Sequence, residues 1–214
     1  MVRIEALTDC AAPFDSNIAF STISGVGPFA IPLSFLHGIK VYANDLNPKS
    51  FKYLVENKNL NASKSKPKDL LQTYNMDGRA FVRYLERENI LYHHVIMNLP
   101  AIAIEFLDIF RGWHPPIAYP DHLPTIHVHC FVKYVTSQDM REKAIKRCEA
   151  ALGCQLDEGR DSVKIHVVRD VSPNKNMLCI SFRLPEQVKS LARISLDNCE
   201  GEQTESNSKK PRLE

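Results

Sequence analysis

The sequence predicts an α/β domain: a seven-stranded, mostly parallel sheet with crossover helices and an antiparallel last strand. Three observations predict it. Short apolar runs alternate with segments of helical periodicity from Asn17 onward. Each of the first four strand-like runs stops at glycine or at a short polar side chain. The last two runs, "SVKIHVVRDV" and "NMLCISFRL", are separated only by a turn around "SPNK". They therefore form a hairpin, since a parallel crossover needs a helix-length connection.

The elements follow in order. "NIAFSTI" is the first strand and leads into "SGVGP". "PFAIPLSFLHG" reads as a helix, with Pro28 in its first turn and Pro32 bending it. "IKVYAND" is the second strand. "PKSFKYLVENKNLN" is a helix capped by Asn47, with Phe51, Leu54, Val55 and Leu60 on its apolar side. The basic loop Asn61 to Lys68 precedes the third strand, "LLQTYNMDG", and the helix "RAFVRYLEREN". "LYHHVIMNLP" is the fourth strand, and "AIAIEFLDIFRGW" reads as an apolar helix. A loop from His114 to Pro124 with four prolines leads to the fifth strand, "TIHVHCFVKY". The amphipathic helix "SQDMREKAIKRCEAALG" comes before the hairpin. Residues 17–185 form the domain on this reading, residues 1–16 an atypical leading segment, and residues 186–214 a polar, disordered tail. This order fits the Rossmann-like fold of S-adenosylmethionine-dependent methyltransferases better than a dehydrogenase domain, whose sheet ends in a parallel strand.

Composition narrows the classes further. Apolar residues make up 44% of the 214 and charged residues 24%, ordinary values for a globular protein. No apolar run is long enough to cross a bilayer, so no membrane partner is expected. The first residues resemble neither a signal nor a transit peptide. Six cysteines without close pairs point to free thiols in a reducing compartment. A net charge of +2 does not by itself require nucleic acid.

In an open parallel sheet, ligands bind outside the carboxyl ends of the strands, where the strand order reverses. Gly25 and Gly27 follow the first strand, Asp45 the second, Asp77 the third, and Asn98 with Pro100 the fourth. The glycines let a backbone approach a ligand. Asp45 can accept from two ribose hydroxyls. Asp77 can accept from an exocyclic amine. Together they describe a nucleoside pocket, although each alone also reads as a turn or a helix cap.

"GVGPFAIP", "ANDLNP", "NMDGRAF", "VIMNLPAIAIEFL" and "VSPNKNMLCISF" resemble the catalytic domain of the archaeal and eukaryotic tRNA (guanine-37-N1)-methyltransferases, over about Gly25 to Leu184. The resemblance implies S-adenosyl-L-methionine as cofactor and tRNA as partner. It also implies methyl transfer to guanine N1 beside the anticodon, the first step towards wybutosine in tRNA-Phe. A monomer in cytoplasm, nucleus and mitochondrial matrix is expected with it. Carried onto this chain, Asp45 with Leu46 holds the ribose side of the cofactor and Asp77 with Gly78 the adenine. Gly25 and Gly27 line its methionine end, and Asn98 lies beside that end and the target base. Two departures stand out. Where the family has an acidic residue four positions before the first glycine, this chain has Ser21. The family's upstream tRNA-binding region, with the arginine and glutamate proposed for catalysis, has no counterpart in the residues before Gly25. A truncated or alternatively assembled form is therefore expected, with weak cofactor binding and little tRNA methylation of its own. No catalytic base is assigned.

Other residues carry weaker signals. His93 and His94 are adjacent on a strand and point to opposite faces, so structural placement is the better reading. His127 and His129 share a face, with Cys130 on the other, and lack the further ligands a zinc site needs. Cys148 and Cys154 are expected unpaired. The lysines near Lys58 and Lys68 could meet tRNA phosphates or merely be solvated, and "KKPRLE" is a weak nuclear-import signal. Two alternatives remain open: a wybutosine-pathway aminocarboxypropyl transferase using the same cofactor on tRNA, or a cofactor-binding fragment without turnover.

Overall fold

The structure is a computed structural model and describes residues 18–63, 67–114 and 123–193. The leading segment through residue 16, the tail beyond 193 and most of the proline-rich loop lie outside the described residues. Among the described residues there are seven strands in one sheet. They are β1 (Ile18–Ile23), β2 (Lys40–Asn44), β3 (Leu71–Tyr74), β4 (His94–Met97), β5 (Thr125–Lys133), β6 (Lys164–Ser172) and β7 (Lys175–Arg183). Four helices connect them: α1 (Ala30–Phe35), α2 (Pro48–Asn61), α3 (Gly78–Arg87) and α4 (Ser137–Leu152). The strand order is β3-β2-β1-β4-β5-β7-β6. β1 through β5 pair in parallel, and β7 is antiparallel to both β5 and β6. The last strand in sequence is thus threaded between β5 and β6, which leaves β6 at the edge. The order reverses between β1 and β4, which places the ligand crevice there.

Each face of the sheet is covered by different helices. Val41, Ala43, Leu71 and Ile96 pack against Phe29, Ala30, Leu33 and Phe35 around α1, and against Leu54 of α2. The opposite face buries Val95, Met97, Ile126, Val128, Cys130, Leu178 and Ile180 under Phe81, Val82 and Leu85 of α3 and Ala144, Cys148 and Leu152 of α4.

Several local expectations change for physical reasons. α1 is only six residues long, with Phe29 at its N-cap and Pro28 outside it. α2 begins as expected: the Asn47 side chain accepts from the Lys49 N–H at 3.0 Å. Leu60, however, is 81% exposed, because six residues on from Leu54 is not a helical repeat. The segment after Asn98 is not an α-helix; it forms turns and a 3₁₀ helix at Glu105–Phe110. The reason is tertiary: the Pro100 carbonyl accepts from the Phe131 N–H of β5 at 3.1 Å and is lost to a helical ladder. The domain also does not end at 185. A 3₁₀ helix at Glu186–Ser190 buries Val188 completely. The Gly112 N–H donates to the Val188 carbonyl at 2.8 Å, and Arg193 Nε donates back to the Gly112 carbonyl at 3.2 Å. Gly112 sits at φ +62°, and a Cβ there would stand 2.8 Å from the Leu191 oxygen, so this strap needs glycine.

Candidate nucleoside and methyl-transfer site

The ends of β1, β2 and β3 are stitched together by three short polar side chains. Asp45 is 6% exposed. Its Oδ2 accepts from the Gly25 N–H at 2.7 Å and its Oδ1 from the Asn47 N–H at 2.9 Å. Asn44 is fully buried and bonds the Met76 backbone twice: its Nδ2 donates to the carbonyl at 3.0 Å, and its Oδ1 accepts from the N–H at 2.9 Å. Asn75 Nδ2 donates to the carbonyls of Asp45 at 2.6 Å and Leu46 at 3.0 Å. Asp45 is therefore no cap of α2, that role being filled by Asn47. Asp77 is a cap: its Oδ1 accepts from the Arg79 and Ala80 N–H groups at 2.9 and 3.2 Å at the start of α3. A carboxylate has about four acceptor positions, so both aspartates retain capacity for a ligand.

The glycine loop is shaped by its two glycines in different ways. Gly27, at φ +95°, is closed in: a Cβ would come 2.7 Å from Ile31 Cγ1 and 2.8 Å from Leu54 Cδ1. Gly25, at φ +55°, is open: a Cβ would meet nothing within 4 Å. Val26 between them is 47% exposed, and the Asn57 side chain of α2 donates to its carbonyl at 2.9 Å. The loop is thus anchored from below and open above. Leu46, next to Asp45 in the chain, is an apolar side chain left 63% exposed.

Asn98 leaves β4 half-buried at the same end of the sheet. It is not a helix cap, since the 3₁₀ helix that follows is capped at Ile104. The loop behind it is fixed at both ends. Leu99 and Pro100 give their carbonyls to Ile102, Ala103 and Phe131. Arg79 makes a bidentate pair with Asp108 at 3.0 and 2.8 Å, and its guanidinium lies 4.4 Å from the Phe106 ring. This ties α3 to the 3₁₀ helix.

The histidines are structural. His94 Nδ1 lies 3.2 Å from His127 Nε2, and His127 Nδ1 lies 2.8 Å from Ser181 Oγ. Burial lowers the His127 pKa to about 3, with His94 and His129 adding to the shift. Burial likewise lowers that of His129 to about 4, against an opposing pull from the nearby Met97 backbone. Both ring nitrogens of His129 lack a hydrogen-bond partner, so that pull is not a formed bond, and the ring packs 5.4 Å from Phe29. Cys130, facing the other side, is pushed up to about 11 by burial. Among the described residues no three metal-ligating side chains converge, and Cys148 and Cys154 are free thiols.

The structure thus brings Gly25 and Asp45 into direct contact and sets Leu46, Asp77, Gly78 and Asn98 at neighbouring strand ends. Asn44 and Asn75, which hold those ends together, escaped the sequence reading. Their only signal was an asparagine placed where a strand stops.

This sheet order, with a glycine loop and acidic side chains at the ends of successive strands, defines the class of S-adenosylmethionine-dependent methyltransferase folds. The TRM5/TYW2 methyltransferase domain matches residues 13–156, and the chain belongs to that family. A Phaeodactylum tricornutum protein named tRNA (guanine(37)-N(1))-methyltransferase 1 is 47% identical over 192 residues, covering 88% of this chain and 42% of that protein. The Mus musculus protein named tRNA (guanine(37)-N(1))-methyltransferase is 40% identical over 193 residues, covering 84% and 36%. This chain therefore spans about two-fifths of the length of these relatives. Among solved structures, M. jannaschii TYW2 in complex with AdoMet aligns with a TM-score of 0.60 at 23% identity, covering 84% of this chain and 74% of that one. A complex of aTrm5 with tRNALeu aligns with a TM-score of 0.50 at 25% identity, covering 78% and 41%.

Proposed function

We propose that this chain is the cofactor-binding, methyl-transferring part of a tRNA (guanine-37-N1)-methyltransferase. The observation that carries the reading is the Gly25–Asp45 contact at 2.7 Å, built at the strand-order reversal within a region 47% identical to a protein of that name. S-adenosylmethionine fits the residues present. The space above Gly25, where a Cβ meets nothing, admits a close ligand. When bound, the cofactor supplies an electrophilic methyl group.

The remaining work falls to this chain. Asp45 fixes the glycine loop with its existing bonds and offers its spare lone pairs to ribose hydroxyls. Leu46 presents an apolar surface to the flat face of a base. Asp77 Oδ2, not engaged in the cap, accepts from an exocyclic amine, and Gly78 lets that amine approach α3. Asn98, on a loop whose neighbouring carbonyls are already bonded, orients the acceptor base. Guanine N1 must also lose a proton. His127 and His129 do not take it: both are fully buried and their pKa values lie far below neutrality.

Calorimetry with S-adenosylmethionine tests the pocket, and a tritium-transfer assay on unmodified tRNA transcript tests the reaction. Absence of cofactor binding by the folded chain would end the proposal. The chain alone is expected to turn over far more slowly than one extended upstream by the family's tRNA-binding region; comparable rates would place the base and the tRNA contacts within this chain. The mass gained by the tRNA separates methyl from aminocarboxypropyl transfer. The relatives at 47% and 40% identity carry the methyltransferase name, which favours the former.

A further inference from the structure

Beyond the cofactor crevice, the sheet face shared with α1 and α2 continues across β5, β7 and β6. Cross-strand partners share a face, so its composition reads off the register. Deep in the sheet the rows are His127 with Ser181 and Lys164, then His129 with Cys179 and His166. Towards the carboxyl end of β5 come Phe131 with Met177 and Arg169, then Lys133 with Lys175 and Ser172. The two outermost rows therefore carry three cations and no carboxylate. Asp170 lies opposite Asn176, on the other face.

Lys133 and Lys175 are directly opposed in an antiparallel pair. Like charges in that position destabilise a sheet unless an anion lies between them. Lys175 leans diagonally towards the neighbouring row, with its Nζ 4.8 Å above the Phe131 ring, so its charge stays on this face. Phe131 is also the residue whose N–H takes the Pro100 carbonyl, two residues from Asn98. Its own carbonyl accepts from Arg147 Nη1 at 2.9 Å, and Arg147 pairs with Glu105 at 3.3 Å. The cationic rows and the Asn98 loop are thus parts of one braced unit at the same end of the sheet.

From this placement we infer that Lys133, Lys175 and Arg169 form a phosphate-binding surface for the single-stranded RNA backbone flanking the target base. The inference rests on the tRNA-methyltransferase reading and adds where the strand lies. An RNA phosphate between Lys133 and Lys175 removes their repulsion, and Arg169 meets the next one. The outer rows supply mainly charge, so they position the strand through its phosphates rather than its bases.

The test is fluorescence anisotropy of a labelled anticodon stem-loop RNA with the intact chain across a salt series. Lys133→Gln, Lys175→Gln and Arg169→Gln are compared with Lys52→Gln on α2. Each of the first three is expected to weaken binding several-fold and to lower the salt slope by about 0.7 per cation removed. Lys52→Gln leaves both unchanged. Lys133→Gln is also expected to melt no lower than the parent, because it relieves a like-charge pair. Unchanged affinity and slope in the first three variants, an equal loss with Lys52→Gln, or no RNA binding by the parent would each overturn the surface. RNA binding through these cations by a chain that fails to bind S-adenosylmethionine would instead sink the methyltransferase reading and leave the surface standing.

Discussion

On the β3–β2–β1–β4 side the strands are four to six residues long, and their ends are joined by side chains bonding backbone. On the β5–β7–β6 side each strand runs nine residues; the β5–β7 ladder is unbroken and the β6–β7 ladder shifts register twice, between Val167 and Arg169 and between Asp170 and Ser172. The first half trades backbone pairing for adjustable polar contacts at the crevice. The second is a rigid wall against which the Asn98 loop is braced through Phe131. Damage to one side chain in the first half should therefore reach the ligand, while damage in the second should be felt as stability or as RNA affinity.

The largest effect expected from this contrast is at Asp45. Asp45→Ala leaves the Gly25 and Asn47 N–H groups without their acceptor, a loss of about 2–4 kcal/mol in stability. It also removes a charged acceptor for ribose, so S-adenosylmethionine affinity should fall by about tenfold or more. Chemical denaturation and calorimetry measure the two losses. An affinity unchanged in the folded variant would remove Asp45 from the site.

The glycines sharpen the comparison within one loop. Gly27→Ala should cost about 1–3 kcal/mol, from its positive φ and from the contacts with Ile31 and Leu54. Gly25→Ala has only the backbone strain to bear, about 1 kcal/mol, yet its Cβ enters the open space above the loop. Melting temperature should thus rank Gly27→Ala as the worse variant, and cofactor affinity should rank Gly25→Ala as the worse. The same ranking in both assays would show that the space above Gly25 is not where the cofactor lies.

Acid should act on the β5 wall. The folded-state pKa values of His127 and His129, about 3 and about 4, lie below the ordinary 6.5. The unfolded chain therefore binds more protons in the window between. Stability is complete above about pH 6.5 and falls as pH drops, by up to about 1.4 kcal/mol per pH unit for each histidine. His129→Leu deletes an imidazole that has no partner, so it should remove its share of this dependence, leaving that of His127, with little cost at neutral pH. A variant melting curve with the parent's pH slope would assign the acid sensitivity elsewhere. The smallest effect is expected at Leu60, whose exposure predicts that Leu60→Ser leaves the melting temperature within about a degree.

The helix start at Asn47, the alternation of strands and helices, and the polar stops at each strand end were all legible in the sequence. They depend on interactions spanning a few residues: a cap, a turn, a period of two or of 3.6. That Gly25 and Asp45 belong together was also legible, because a βαβ unit returns its second strand beside the first. Tertiary structure alone decided that β7 inserts between β5 and β6, since hairpin periodicity carries no information about which strand meets the rest of the sheet. It decided that the segment after Asn98 winds as turns and a 3₁₀ helix, because a β5 amide thirty residues away claims the Pro100 carbonyl. It turned the run after Pro185 from tail into a strap, because Val188 joins the main core cluster and its carbonyl takes the Gly112 N–H. And it set two lysines face to face across β5 and β7, a pairing that exists only once the register is fixed.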